Sequence, residues 1–516
     1  MQNIHAQIPN WLWAKDAWGN NNVEGISTAT DGSGNVYVAG YFKYGPINFD
    51  TIQLTGYGDY DCFLAKYDFN GNFLWAKTIG GNSIDKVYDV KIDNNGNALI
   101  TGFFLSPTMN IGTFTLNNNG GGSDMFLIKY DVNGNELWVL SEGALSFGGA
   151  EGNSIITDNI GNIFVTGKYI FYPIIFGADT LVNTLGYDLF IVKYDSNGSV
   201  IWANSANASG DEKPAGIALD NFGDIYIAGN YYNSNLIFGT DTLVHAAPIN
   251  TDNRFVLKFA NNGSKVWARS VGGAFGGGSC TDIIKDNNGD ILVSGSSIIK
   301  YDINGNVIWT TAAGVYLYGE GIAIDNFNNI YITGSFNSQQ IIFGPDTLTA
   351  FGISDPFIAK YDFNGIPLRA TKMGGMAQDG AKSIAIDFAN NVIVTGSYKS
   401  MYFYPLGLSN GSSGVYNYMY VAKTSGLISG LYERGNIEEN INVYPNPSVG
   451  NFHINLRYFP NNKTILTLRN LMGQKLNEIV LTTKESELKL DEPNGIYFLT
   501  VSNGKENYST KIIIQR

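Results

Sequence analysis

Histidine is almost missing from this chain of 516 residues: His5, His245 and His453 are all there is. They fall in the N-terminal tail, a mid-chain loop and the C-terminal region, so no acid–base pair or metal centre is expected from them. Cysteine is scarcer still. Cys62 and Cys280 occupy different positions in different repeats, which points to two buried small side chains and not to a disulfide. No run of eighteen apolar residues is present, so nothing is expected to span a bilayer. A basic excess is also lacking, because the net charge is −13, which argues against nucleic acid or an anionic membrane as a partner. Zinc spacings, phosphate loops and dinucleotide glycine motifs do not occur. Gly407-Leu408-Ser409-Asn410-Gly411 matches the formula of a hydrolase elbow, but it lies between two strands and has no partner histidine, so it reads as a loop. Helical periodicity is absent throughout. The N-terminus has no hydrophobic signal core, yet Ala6-Gln7 has the look of a leader's cleavage end. Residues 1–10 are therefore read as a leader remnant, with Met1 as an internal start.

What the chain has in quantity is glycine, 62 residues, much of it in Asn-Gly turns. KYDVNGNELW at 129–138 returns as KYDFNGNFLW from Lys66, KYDSNGSVIW from Lys193, KFANNGSKVW from Lys258, KYDINGNVIW from Lys300 and KYDFNGIPLR from Lys360. Each copy is a β-hairpin, since Asn-Gly supplies the positive φ of a tight turn between strand-like flanks. Two half copies remain at the ends, WLWAK at 11–15 and MYVAK at 419–423. Together they complete a seventh hairpin, which a ring closed by its own first strand explains and a linear array does not. A second signature alternates with the first, as in DNNGNALITGFF from Asp93, and it also occurs seven times. Four strands per repeat of about 40 to 60 residues indicate a propeller. The fold expected is all-β: a seven-bladed β-propeller over 11–424, a linker over 425–440 and a small antiparallel β-sandwich over 441–516. A tryptophan marks the outermost strand, replaced by Arg369 in the last full hairpin, where looser packing is expected.

Long connections between the second and third strands carry an insert in most repeats, such as IIFGADTLVNT, and the fifth repeat lacks it. The face with these connections is the expected binding face, with a notch at the fifth blade. Glu24, Asp85, Glu151, Glu212, Glu320 and Asp379 precede the innermost strands in six repeats, with Ser279 nearby in the other. They are the candidate binding residues, a ring of carboxylates round the axial opening able to hold sugar hydroxyls or calcium; otherwise no metal or cofactor is expected. The DxNGN turns are not calcium loops, because their glycine is fourth and not sixth and no glutamate follows at the twelfth place.

The repeat WAK–GG–D–GN–YVTG–F–G–L–DxFLAKYDxNGN resembles the bacterial seven-bladed β-propeller repeat of secreted proteins, a resemblance that implies a scaffold and no particular activity. Residues 441–516 resemble the type A C-terminal sorting domain of the type IX secretion system of Bacteroidota. The match lies on Tyr444, Pro445, Asn446 and Pro447, on Gly450, Gly473, Gly495 and Tyr497, and on the basic strand from Lys511 to Arg516. It implies export through the periplasm to the cell surface or medium, with the secretion machinery and its sorting peptidase as partners. Thr51, Thr180, Thr242 and Thr347, each in an Asp-Thr-aliphatic triplet, resemble O-glycosylation acceptors of such exported proteins. The function expected is a monomeric, non-enzymatic binding or adhesion protein for a protein or glycan ligand; the alternative is a carbohydrate-active or lyase-type propeller using the axial acids.

Overall fold

The computed structural model describes residues 11–118, 120–144, 147–208, 210–232, 235–244, 252–271, 279–312, 317–337, 340–399, 416–425, 441–445, 448–456, 464–470, 475–481, 483–502 and 507–515. Every regular element among them is a strand. The contacts divide the chain into two units, 1–427 and 428–516, a boundary inside the expected linker. The leader remnant at 1–10, the elbow-like loop at 407–411 and the linker residues 426–440 lie outside the described residues.

In the first unit the described residues form seven four-stranded antiparallel sheets, six of them meanders in chain order and the seventh completed by the first strand of the chain. Sheet one, for example, runs Val23–Thr30, Val36–Lys43, Tyr60–Tyr67 and Phe73–Gly81. The first strands of sheets two to seven are Asp85–Ile92, Gly149–Thr157, Asp211–Leu219, Cys280–Lys285, Leu317–Ile324 and Gly380–Ile386. Each touches the first strand of the next sheet, and Gly380–Ile386 touches Val23–Thr30. The fourth strand of sheet seven is Trp11–Gly19, paired with Tyr418–Thr424. There Lys423 faces Trp13 and Thr424 faces Trp11, the register in which Lys66 faces Trp75 and Tyr67 faces Phe73 within an unbroken hairpin.

Strands apolar on both faces have the burial they require. Ala98–Phe104 is buried at every residue, because each sheet is covered by a neighbour on either side. Cys62 and Cys280 are both free thiols in this interior. The repeated signatures supply the links between sheets. The indole N–H of Trp75 donates to the carbonyl of Val132 in the next sheet's turn, and Trp13, Trp138, Trp202 and Trp309 make the same bond to Phe69, Ser196, Asn261 and Phe363. Gly134, at φ +81, is where that indole rests: a Cβ there would meet Trp75 at 2.9 Å. Burial of the tryptophans is uneven, with Trp13 and Trp267 buried and Trp75, Trp138, Trp202 and Trp309 half-buried. The lysine of KYD is buried too, its ammonium paired with the aspartate of the second signature, at 2.9 Å for Lys129–Asp93 and 2.7 Å for Lys423–Asp387.

The inserts do not extend a rim. They are short hairpins, and three of them add a strand to the outer edge of the preceding sheet: Ile47–Phe49 pairs with Trp11–Gly19, Thr108–Ile111 with Phe73–Gly81, and Leu236–Phe238 with Val200–Ala208. An outermost strand left bare is a site for unwanted pairing, and a hairpin laid against it satisfies the open backbone groups.

The second unit is two sheets sharing one apolar core. Ile441–Tyr444, Asn451–Leu456 and Glu485–Lys489 make one, and Lys475–Leu481, Thr464–Arg469, Gly495–Ser502 and Asn507–Ile514 make the other.

Candidate functional site

The six candidate carboxylates do not form one ring. Pairing with the second strand fixes their places, because each first strand carries a bulge just after the residue facing the repeat's glycine or the equivalent position. Glu24 and Glu151 stand one residue before that position, facing Tyr41 and Lys168. Asp85 and Glu212 stand two before it, facing Phe104 and Tyr231, and Asp379 immediately precedes the strand that starts at Gly380. Glu320 is itself the bulged residue, between Gly319 and Gly321. Neighbouring positions on a strand point to opposite faces, so the set is divided.

Asp85, Glu212 and Asp379 are turned into the interior, at 0%, 0% and 1% exposure. This corrects the expectation of six converging acids, and the physical reason for Asp85 and Asp379 is that they satisfy loop backbone. Asp85 accepts from the N–H of Gly81 at 2.6 Å and the hydroxyl of Ser106 at 2.8 Å, tying the outer strand of sheet one to sheet two. Asp379 accepts from the N–H groups of Gly375 and Lys399, both at 2.8 Å. Glu212 lies against Asp188. Burial pushes Asp85 and Asp188 up against the opposing pull of their hydrogen bonds. It pushes Asp61 up to about 6 despite the N–H groups of Gly58 and Tyr57, and burial followed by the charge of Asp124 takes Glu142 up to about 7.

Glu24, Glu151 and Glu320 remain at the mouth enclosed by the first strands, each half-buried. The hydroxyl of Tyr41 donates to Glu24 at 3.1 Å, and that of Tyr88 to Glu151 at 3.2 Å. Glu151 also pairs with Lys168 at 3.1 Å, and Glu320 with Lys382 at 3.1 Å. Burial first, then the neighbouring carboxylate, pushes the phenols of Tyr41 and Tyr88 well up, so both remain donors. A cavity of about 430 Å³ opens beside them across sheets six, seven and one. Glu24, Glu320, Gln378, Lys382, Lys399 and Asn417 are among its lining, together with Asp379.

The sequence does not single out the lysines of this region, because Lys86 and Lys213 each follow an acid by one residue and only the pairing register tells the two apart. The position that holds Glu24 in sheet one holds Lys86 in sheet two, Glu151 in three, Lys213 in four and Ser279 in five. In sheets six and seven the bulged residues are Glu320 and Lys382. Acid and base therefore alternate over sheets one to four, and sheets six and seven add one of each from the bulged position. Lys86 sits 4.5 Å from the ring centres of both Tyr41 and Tyr60, and Lys168 sits 4.8 Å from that of Tyr187. Among the described residues no three His, Cys, Asp or Glu side chains come together as a metal ion would need.

The Asp-Thr triplets are the second strands of the inserted hairpins or their turns. Their aspartates accept from the outer strand of their own sheet, as Asp179 does from the N–H of Ala203 at 2.8 Å and Asp241 from that of Ala268 at 2.9 Å. Thr51, Thr180 and Thr242 are exposed and Thr347 is half-buried. In the second unit Tyr444 is half exposed and stacks on His453 with ring centres 5.4 Å apart, and the Tyr444–Pro445 peptide is cis. Gly450 has φ +108, Gly495 opens a strand, and the Tyr497 hydroxyl donates to the carbonyl of Pro493 at 2.8 Å. Lys511 lies in the last strand, while Asn446, Pro447, Gly473 and Arg516 fall outside the described residues.

Residues 442–515 match the family model of the secretion system C-terminal sorting domain, and residues 308–340 match that of a β-propeller repeat. The chain thus carries the type IX sorting domain and the propeller repeat, and the sorting domain marks it for export to the cell surface or medium. An uncharacterized WD repeat-containing protein of Acanthamoeba polyphaga mimivirus is 24% identical over 97% of this chain, which spans 44% of that protein. Virginiamycin B lyase from Staphylococcus aureus covers 80% of this chain and 99% of its own, at 9% identity and a TM-score of 0.41. PorZ, a surface component of the type IX secretion system of Porphyromonas gingivalis, covers 98% of this chain and 100% of its own, at 10% identity and a TM-score of 0.19. No helix among the described residues is long and apolar enough to cross a membrane.

Proposed function

We propose that the first unit is a seven-bladed propeller closed by its N-terminal strand, and that it is a non-enzymatic module which binds a protein or glycan outside the cell. The closed ring is supported by the cyclic contacts of the first strands and by the hairpin register of Lys423 with Trp13. The binding reading rests on one observation, the cavity of about 430 Å³ where Glu24, Glu320 and Lys382 meet. It supports a binder over a carbohydrate-active or lyase-type enzyme because the carboxyls pushed furthest towards neutrality, Asp61, Asp282 and Glu142, are not in its lining. Paired and hydrogen-bonded carboxylates beside amides and hydroxyls hold a polar ligand in place and offer no matched acid and base.

The test is an array of glycans and peptides probed with the full chain, with and without calcium, and with a variant carrying Glu24→Gln and Glu320→Gln. The expected result is a ligand retained without calcium and lost in the variant. A ligand indifferent to both substitutions, or turnover of a polysaccharide, sinks this reading.

A further inference from the structure

The mouth has a second part that the cavity does not include. From Glu24, which lines the cavity and takes the Tyr41 hydroxyl, a continuous line of side chains runs through Lys86, Tyr88 and Glu151 to Lys168 and Tyr187. Carboxylates and ammoniums alternate along it. We infer that this line and the cavity together hold an uncharged saccharide chain laid across the mouth, an inference that rests on the binding reading above. A carboxylate only accepts hydrogen bonds and an ammonium only donates them, whereas a hydroxyl does both. Glu151 and Lys168, 3.1 Å apart, and Glu320 and Lys382, also 3.1 Å apart, each set an acceptor beside a donor at the separation of two adjacent sugar hydroxyls. A polyanion placed there meets Glu24, Glu151 and Glu320, and a polycation meets Lys86, Lys168 and Lys382, so a ligand of either sign gains from half the line and is repelled by the rest. Main-chain recognition of a peptide needs an open strand edge, and this line is made of side chains from successive sheets.

The experiment is calorimetric titration of the full chain with a panel of neutral hexasaccharides, with hexagalacturonate and with a mixed-sequence hexapeptide. A neutral hexasaccharide is expected to bind, with little change up to about 0.5 M salt. Glu151→Gln and Lys168→Met are each expected to weaken it about tenfold, the worth of one charge-assisted hydrogen bond, with the melting temperature unchanged. Tighter binding of hexagalacturonate, or neutral binding indifferent to both substitutions, overturns the inference. If only the peptide binds and Glu24→Gln abolishes it, the saccharide falls and the binding mouth stands. If no probe responds to Glu24, Glu151, Glu320 or Lys168, both fall.

Discussion

Single residues in this protein repeat with the period of the chain, and their chemistry is mostly that of holding sheets together. The aspartate of each DxNGN turn shows the economy of it: Asp68 accepts from the N–H groups of Asn70 and Asn72 and from the Asn72 amide. Burial by itself pushes Asp68 up, but these bonds outweigh it and hold the carboxyl below its usual range. The interior carboxyls go the other way. Asp61 is pushed to about 6 and Glu142 to about 7, both above their unfolded values near 4. Their stabilising contribution is complete below about pH 4 and disappears as pH rises through 6 to 7. The melting temperature of the full chain is therefore expected to fall between pH 5 and pH 8, and Glu142→Gln should flatten that slope. A melting temperature that rises over the same interval would show that these groups are ionised in the fold. None of this is visible in sequence, where Asp61 and Asp68 look alike; one is buried under a loop and the other caps an exposed turn.

At the scale of elements, the hairpin is the unit that the chain copies, and the sheet is what the copies build. The seam between sheets six and seven differs from the others, because the hairpin that should receive an indole from sheet six is split between the chain's two ends. Arg369, at the tryptophan position, instead donates from Nε to Asp346 at 2.9 Å. A circular permutant joining Thr424 to Trp11 through Asp-x-Asn-Gly-Asn, and opened between sheets two and three, recreates the turn in the register of the other hairpins. Arg369→Trp is expected to stabilise that permutant by about 1–2 kcal/mol and to leave the natural chain unchanged or weaker. Denaturant midpoints of the four proteins measure this; equal effects in both backgrounds would mean that the seam is not a missing hairpin. The inserts teach the converse lesson. Their sequences are loop-like, and only pairing with a neighbouring sheet makes them edge strands.

The whole molecule is two units with separate tasks. The sorting domain has its own core of residues such as Phe452, Leu466, Leu499 and Ile512, so it folds around apolar side chains supplied by itself. Removing residues 441–516 is expected to leave the first unit folded and the protein trapped in the periplasm, as fractionation of the native host would show. Undiminished appearance at the surface would mean that export does not depend on this domain. Strand order, hairpin register, the split seventh unit and the sorting motif could all be read from residue order, because turn chemistry and two-residue alternation act over a few neighbours. The make-up of the mouth could not. Whether an acid reaches it depends on a single step along each first strand: Glu24 and Glu151 stand one residue before the position that faces the repeat's glycine, and Asp85 and Glu212 stand two before it, on the opposite face. The lysines that alternate with those acids come from sheets some sixty residues apart, and only the packing of one sheet on the next brings them together.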